Sequence, residues 1–397
     1  MGVAAKIMDA IERSSWIRKM FEEGARLKAL HGADKIFDFS LGNPDLEPPG
    51  RFREVLSSIL AELPVGGHGY MPNAGYEETR AAVAGYVSQE QKVEFNSDYV
   101  IMTCGAAGGL NCIFKALLDP GDEVIVSAPY FVEYGFYAEN HGGQIRVVPT
   151  REDFTLDLEA VEAAINNRTK VVLINSPNNP TGQIYDERSL AKLGVLLTDY
   201  SKKLGRTLYL VSDEPYRKIV YDGIQVPSIL RAYENSILTT SYSKDISLPG
   251  ERLGYLVVHP EADQAEALIA GMILANRILG FVNAPALMQR VVRHLQGACV
   301  DVAIYQARRD LLCQGLADAG YEFIRPQGAF YLFPKSPIAD DVAFVRLLQE
   351  ENVLVVPGSG FGAPGYFRIC YCVDEKIIEK SIPSFAKARQ RALGHGA

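Results

Sequence analysis

Short, apolar runs rich in β-branched residues recur along the first two thirds of this 397-residue chain. Val124–Ser127, Val171–Asn175, Leu208–Ser212 and Ile237–Ser241 each read as a buried strand. Between them, Leu158–Ile165 and Glu187–Leu204 carry helical patterning. Upstream, Tyr99–Met102 reads as a strand and Leu110–Leu118 as a helix. Strands alternating with helices predict a mostly parallel sheet covered on both faces, an α/β fold. Such sheets bind ligands at the carboxyl ends of their strands, so the polar residues just after each strand matter most.

The last third changes character. Glu261–Ala275 and Ala284–Ala317 read as long helices. Tyr321–Phe333 reads as a hairpin turning at Gly328, and Val353–Pro357 and Phe367–Val373 as short strands. The expectation is a large α/β domain over 48–275 and a smaller α+β domain formed by 1–47 and 276–397.

Composition agrees with a globular protein: 48% hydrophobic and 22% charged residues. The net charge of -8, without a basic stretch, argues against nucleic acid or an anionic membrane as partner. Met1–Met20 is amphipathic and lacks the apolar core of a signal peptide. No uninterrupted apolar window approaches ~18 residues, so no membrane span is expected and a cytoplasmic location follows. The cysteines (Cys104, Cys112, Cys299, Cys313, Cys370, Cys372) contain no C-x-x-C pair, and no histidine sits at ligand spacing. They read as buried free thiols, with Cys370 and Cys372 on one face of a strand, and no metal is expected. His31, His68, His141, His259, His294 and His395 form no cluster and read as structural or surface residues.

Five strand ends carry candidate chemistry. After Ile237–Thr240 comes Ser241-Tyr242-Ser243-Lys244, with Arg252 in Gly250-Glu251-Arg252-Leu253-Gly254. An amine among hydroxyls and a guanidinium suits an aldehyde that carries a phosphate, with the amine forming the imine and the rest binding the phosphate; taken alone, the string reads more often as a surface lysine after a strand. After Leu208–Val211 comes Ser212-Asp213-Glu214-Pro215-Tyr216. An acid at the end of a buried strand needs a positive partner, and a protonated pyridine nitrogen would serve; by itself it reads more often as a helix-cap or turn acid. Asn175-Ser176-Pro177-Asn178-Asn179-Pro180-Thr181-Gly182 is a rigid loop that aims the Asn179 amide, or, as a bare string, only a turn. Thr103-Cys104-Gly105-Ala106-Ala107-Gly108-Gly109 leads small residues into a helix, leaving N–H groups for an anion, or simply packs closely. It is neither a dinucleotide fingerprint nor a Walker loop. In Pro129-Tyr130-Phe131-Val132-Glu133-Tyr134, an aromatic is placed to stack on a planar ring, or to fill the core.

In order and spacing these motifs, with Gly42-Asn43-Pro44 and Arg368, resemble the class I/II aminotransferases, the fold-type-I pyridoxal-phosphate enzymes, over nearly the whole chain. The resemblance implies pyridoxal 5'-phosphate bound as a Schiff base to Lys244, whose freed amine then shuttles the proton. It makes Asp213 the partner of the pyridine nitrogen, and Tyr216 and Asn179 the partners of the ring oxygen. Phe131 would stack on the ring, with Gly105, Ala106, Ala107, Ser241, Ser243 and Arg252 around the phosphate. Tyr70, in Gly69-Tyr70-Met71-Pro72, would reach the phosphate of a neighbouring subunit, which implies a homodimer. Arg368 would clamp the substrate α-carboxylate, and Gly42 would belong to the segment that closes over the substrate. The implied reaction is a ping-pong transfer from an amino acid to a 2-oxo acid such as 2-oxoglutarate.

One prokaryotic branch of aspartate aminotransferases uses a lysine in the phosphate loop to read a side-chain carboxylate. This chain has Ala107 there. Arg277 is the residue that would act in its stead across a dimer; it also reads as an exposed helix arginine, and Ile278, Leu279 and Phe281 beside it suit an apolar side chain. A C–S β-lyase or another fold-type-I enzyme would use the same lysine and aspartate. A non-catalytic sensor or a dehydrogenase lacks support, for want of a basic extension and of the glycine fingerprint.

Overall fold

The computed structural model describes residues 2–13, 24, 26, 32 and 35–394. Two expected histidine positions, His31 and His395, lie outside the described residues. Seven strands form the central sheet: β2 (Val100–Thr103), β3 (Glu123–Ala128), β4 (Gln144–Pro149), β5 (Thr169–Asn175), β6 (Tyr209–Asp213), β7 (Ser236–Ser241) and β8 (Gly254–Val258), after a short β1 (Phe37–Asp38) outside it. Their order is β2-β8-β7-β6-β5-β3-β4. Only β8 runs antiparallel to its neighbours.

Both faces of this sheet are covered, which is why its strands are continuously apolar. Along β5, Val171 and Leu173 join the core that contains helices Gly105–Leu117 and Ala265–Ile278. The alternate residues Val172 and Ile174 join the core on the other face, with helices Glu77–Gln91 and Glu187–Leu204. The parallel strands β5, β6 and β7 end at Asn175, Asp213 and Ser241 on one edge, in register: Asn175 pairs with Asp213, and Asp213 with Thr239.

A second assembly of short strands packs around its own core, from Phe39 to Ala388. β1 pairs in parallel with β10 (Val353–Leu354), so residues 37 and 38 dock on the chain's far end. β9 (Tyr331–Leu332), β11 (Val356–Pro357) and β12 (Phe367–Cys370) form an antiparallel sheet in the order β11-β12-β9.

Several expectations change. The helix expected over 284–317 is two, Ala286–Val292 and Val302–Asp318. Gly297 at φ +80 turns the chain between them, and the Asp301 carboxylate starts the second by accepting from Ala303 N–H. No hairpin forms at 321–333. Gly328 instead bridges Val220, its N–H donates to Gly182 O at 2.9 Å, and only Tyr331–Leu332 joins a sheet. The strand read over 353–357 splits between two sheets. The helix after 103 starts at Gly105, not Leu110, and the small residue Gly109 inside it lies against Thr239, where a Cβ would collide. Residue 275 falls inside the helix Ala265–Ile278, and Ala284 to Leu295 still belong to the large sheet's core. All six cysteines are free, but Cys104 and Cys299 are only half-buried. Cys370 and Cys372 do share a face, with sulfurs 2.9 Å apart. Among the described residues no helix is long and apolar enough to cross a membrane, and no three His, Cys, Asp or Glu side chains gather as metal ligands.

Candidate active site

The carboxyl edge of β5–β7 opens into a cavity of about 380 Å³, closed from the other side by Gly42, Tyr331 and Arg368 of the second assembly. Ala106, Ala107, Phe131, Asn179, Asp213, Tyr216, Ser241, Ser243, Lys244 and Arg252 all line it. Gly105 lies just behind, where an added Cβ would stand 3.1 Å from the Arg252 guanidinium. Thus residues from five strand ends and both ends of the chain converge on one space.

Asp213 ends β6 and is buried. Its Oδ2 accepts from the Tyr134 hydroxyl at 2.7 Å, whereas its Oδ1, also buried, has no hydrogen-bond partner. Burial pushes its carboxyl up to about 7; the Tyr134 bond opposes that and the charge of Glu214 adds to it. A buried carboxylate oxygen left unpaired is costly unless a donor or cation meets it there.

The Asn179 loop is tied to the sheet end. Asn175 Nδ2 donates to Asp213 O at 2.8 Å, and the Asn175 side-chain oxygen accepts from Asn179 N–H at 2.7 Å. Lys244 Nζ donates to Gly42 O at 2.7 Å, and burial lowers its pKa. An amine so shifted holds its lone pair over a wider pH range. The Tyr216 hydroxyl lies 2.8 Å from that of Tyr331, and burial raises its pKa.

Arg368 is 3% exposed. Its Nη1 donates to Asn179 Oδ1 at 3.0 Å and its Nη2 to Ser40 O at 2.7 Å. Its guanidinium lies 4.7 Å from the Tyr331 ring centre and 4.8 Å from that of Phe361. The fork is therefore fixed before any ligand arrives. On the opposite wall, the Phe131 ring sits edge-on to Tyr134 at 5.6 Å.

Two expected residues are not brought into this cavity. Tyr70 is 93% exposed and lines a separate surface hollow with His68 and Phe281. Arg277 is exposed near the end of its helix. Conversely, sequence reading assigned no role to Tyr134, Tyr331, Ser40 or Glu133. Tyr134 carried one signal, its spacing of three residues after Phe131. The others carried none.

The model of the family described as aminotransferase class I and II matches residues 34–384. The chain belongs to that family. It is an aminotransferase. It is 35% identical to a probable aspartate aminotransferase of Methanocaldococcus jannaschii, over 87% of this chain and 91% of that one. It is also 35% identical to an aspartate/prephenate aminotransferase of Thermus thermophilus, over 88% and 90%. Among solved structures, an amino transferase from Eubacterium rectale superposes with a TM-score of 0.95 at 42% identity, covering 98% of this chain and 99% of that one. The aspartate aminotransferase of Thermus thermophilus with maleate gives 0.86 at 29%, covering 98% and 100%. For this aminotransferase the α/β fold and the transfer of amino groups are thus established.

Proposed function

We propose that the cavity holds pyridoxal 5'-phosphate, attached through Lys244, and that the enzyme passes an amino group from an L-amino acid to a 2-oxo acid. The observation that carries this reading is the buried, unpartnered Oδ1 of Asp213, a residue that lines the same cavity as the half-buried Lys244. The cofactor, when bound, supplies an aldehyde for the amino group and a pyridinium ring that draws electrons from the substrate α-carbon. Asp213 gives that ring nitrogen its counter-charge, and Tyr134 holds the carboxylate in place. Tyr216 and Asn179 serve the ring oxygen, and Phe131 one ring face. Ser241, Ser243, Arg252 and the backbone at Gly105, Ala106 and Ala107 cradle the phosphate, at a helix start that favours an anion.

Lys244 acts twice: its amine holds the cofactor, and once released it moves a proton at the substrate α-carbon. Its pKa, lowered by burial, widens the pH range over which it can accept that proton. Arg368 binds the α-carboxylate, and Gly42 closes over it. Tyr70 is assigned to the phosphate of a second subunit, which makes the working form a homodimer with shared sites. The unit boundaries 48–275 and 1–47 with 276–397 are retained as a working division, with 284–295 moved to the larger unit on the packing above.

The test is direct. Borohydride reduction of the cofactor-loaded protein should bleach a visible band and leave a pyridoxyl adduct at residue 244 by mass spectrometry. Incubation of unreduced enzyme with an amino acid alone should stop after one half-reaction per site. Continued release of ammonia would make it a lyase, and a colourless protein without adduct would overturn the reading.

A further inference from the structure

Five charged side chains line the cavity among the described residues: Lys244, Arg252, Arg368, Asp213 and Glu133. The proposed function gives four of them a partner. Lys244 is taken up by the cofactor, Arg252 faces phosphate, Arg368 faces the α-carboxylate and Asp213 faces the ring nitrogen. Glu133 is left over, a carboxylate with no opposite charge assigned to it.

The cation that bears on it, Arg368, is already given to the α-carboxylate. Glu133 opens the helix Glu133–Glu139, which also carries the cavity residues Tyr134 and Tyr137. Its Oε2 is buried and has no hydrogen-bond partner. Burial raises its pKa; its own backbone N–H and the more distant charge of Arg368 offset that only in part. The cavity lining also holds Leu41, Leu110, Ala106 and Ala107, which carry no side-chain hydrogen-bond donor, while the Tyr134 hydroxyl is committed to Asp213 and that of Tyr137 does not bond Oε2. A buried carboxylate oxygen without a partner is unstable until a donor reaches it.

Resting on the proposed function, we infer that Glu133 is a specificity-determining residue: it selects amino acids whose side chain presents a hydrogen-bond donor, a cationic one above all, and turns away dicarboxylic ones. A side-chain ammonium or amide would satisfy Oε2. A second substrate carboxylate would bring like charge against it, with no cation of this chain's cavity free to offset it. The same holds in the reverse half-reaction, so 2-oxoglutarate should be a poorer acceptor than a monocarboxylic 2-oxo acid.

The pairs L-glutamine with L-glutamate and L-asparagine with L-aspartate differ only at the terminal group. Half-reactions of the cofactor-loaded enzyme with each, and with L-lysine, follow loss of the visible band. The wild type should use each amide, and L-lysine, at least roughly tenfold better in kcat/KM than the matching dicarboxylate, as one charged hydrogen bond requires. In Glu133→Gln the amide-to-acid ratio should fall by about tenfold. Glu133→Thr makes the same comparison should the first variant fail to fold. A wild type that prefers L-glutamate and L-aspartate overturns the inference without any variant. So does an unchanged ratio in a variant that still reacts. A wild type that no amino acid bleaches would instead overturn the proposed function.

Discussion

The ionisation of Asp213 makes a measurable claim about stability as well as chemistry. The residue is fully buried, and its pKa rises from 3.8 to about 7. An acid whose folded-state value is raised contributes most below its unfolded value, and that contribution is lost as pH climbs through the folded value. At about 1.4 kcal/mol per unit, the roughly three-unit rise amounts to about 4 kcal/mol across the whole window. Between pH 5 and pH 8.5 the share is about 3 kcal/mol. Asp213→Asn removes the titration while keeping an oxygen to accept from Tyr134 and placing an N–H₂ where Oδ1 lacks a partner. Urea unfolding of cofactor-free wild type and variant at the two pH values compares them directly. The variant's advantage should grow by about 3 kcal/mol from pH 5 to pH 8.5, since other groups cancel in the difference. Adding pyridoxal phosphate to the wild type should flatten its decline, because a ring cation would keep the carboxylate ionised at little cost. Turnover of the variant should fall by at least roughly tenfold to a hundredfold. An advantage equal at both pH values would mean that Asp213 does not titrate in this window, and the reasoning from its burial would fail.

Other expectations are as specific. Lys244→Ala should lose the pyridoxyl adduct at 244 and drop turnover by ~10²–10⁴, checked by borohydride labelling and steady-state kinetics. Arg368→Lys keeps the charge but not the fork that meets Asn179 and Ser40; kcat/KM for amino acids should fall by roughly tenfold to a hundredfold. Gly194→Ala drives a Cβ into the Ala232 carbonyl, between helix Glu187–Leu204 and the Ile229–Ala232 turn. It should cost about 1–3 kcal/mol, read from the urea midpoint.

What the sequence made legible is what depends on neighbours along the chain. The strands β3, β5, β6 and β7 stand out because burial on both faces leaves no room for polar residues, so each is an apolar run. Glu187–Leu204 is bounded as read: the Asp186 side chain accepts from Ser189 N–H at its start, and Gly205 at φ +64 ends it. Asp213, Asn179 and Lys244 could be named because each follows directly on such a strand. The hairpin at 321–333 failed for the opposite reason. Its apolar residues are buried by the second core, and Gly328 pairs with backbone more than a hundred residues away. Tyr134 meets Asp213 across 79 positions, and Tyr216 meets Tyr331 across 115. No local pattern announces such pairs. Arg368 carries the point furthest. A guanidinium in a short strand is ordinary until Asn179, 189 positions away, and Ser40, 328 away, fix both of its arms. One of those partners lies on the large sheet's loop and the other beside β1, which is paired with β10. The arrangement proposed as the carboxylate clamp therefore exists only when both cores have folded against each other, and any change that loosens β1 from β10 should weaken substrate binding before it disturbs the surroundings of Lys244.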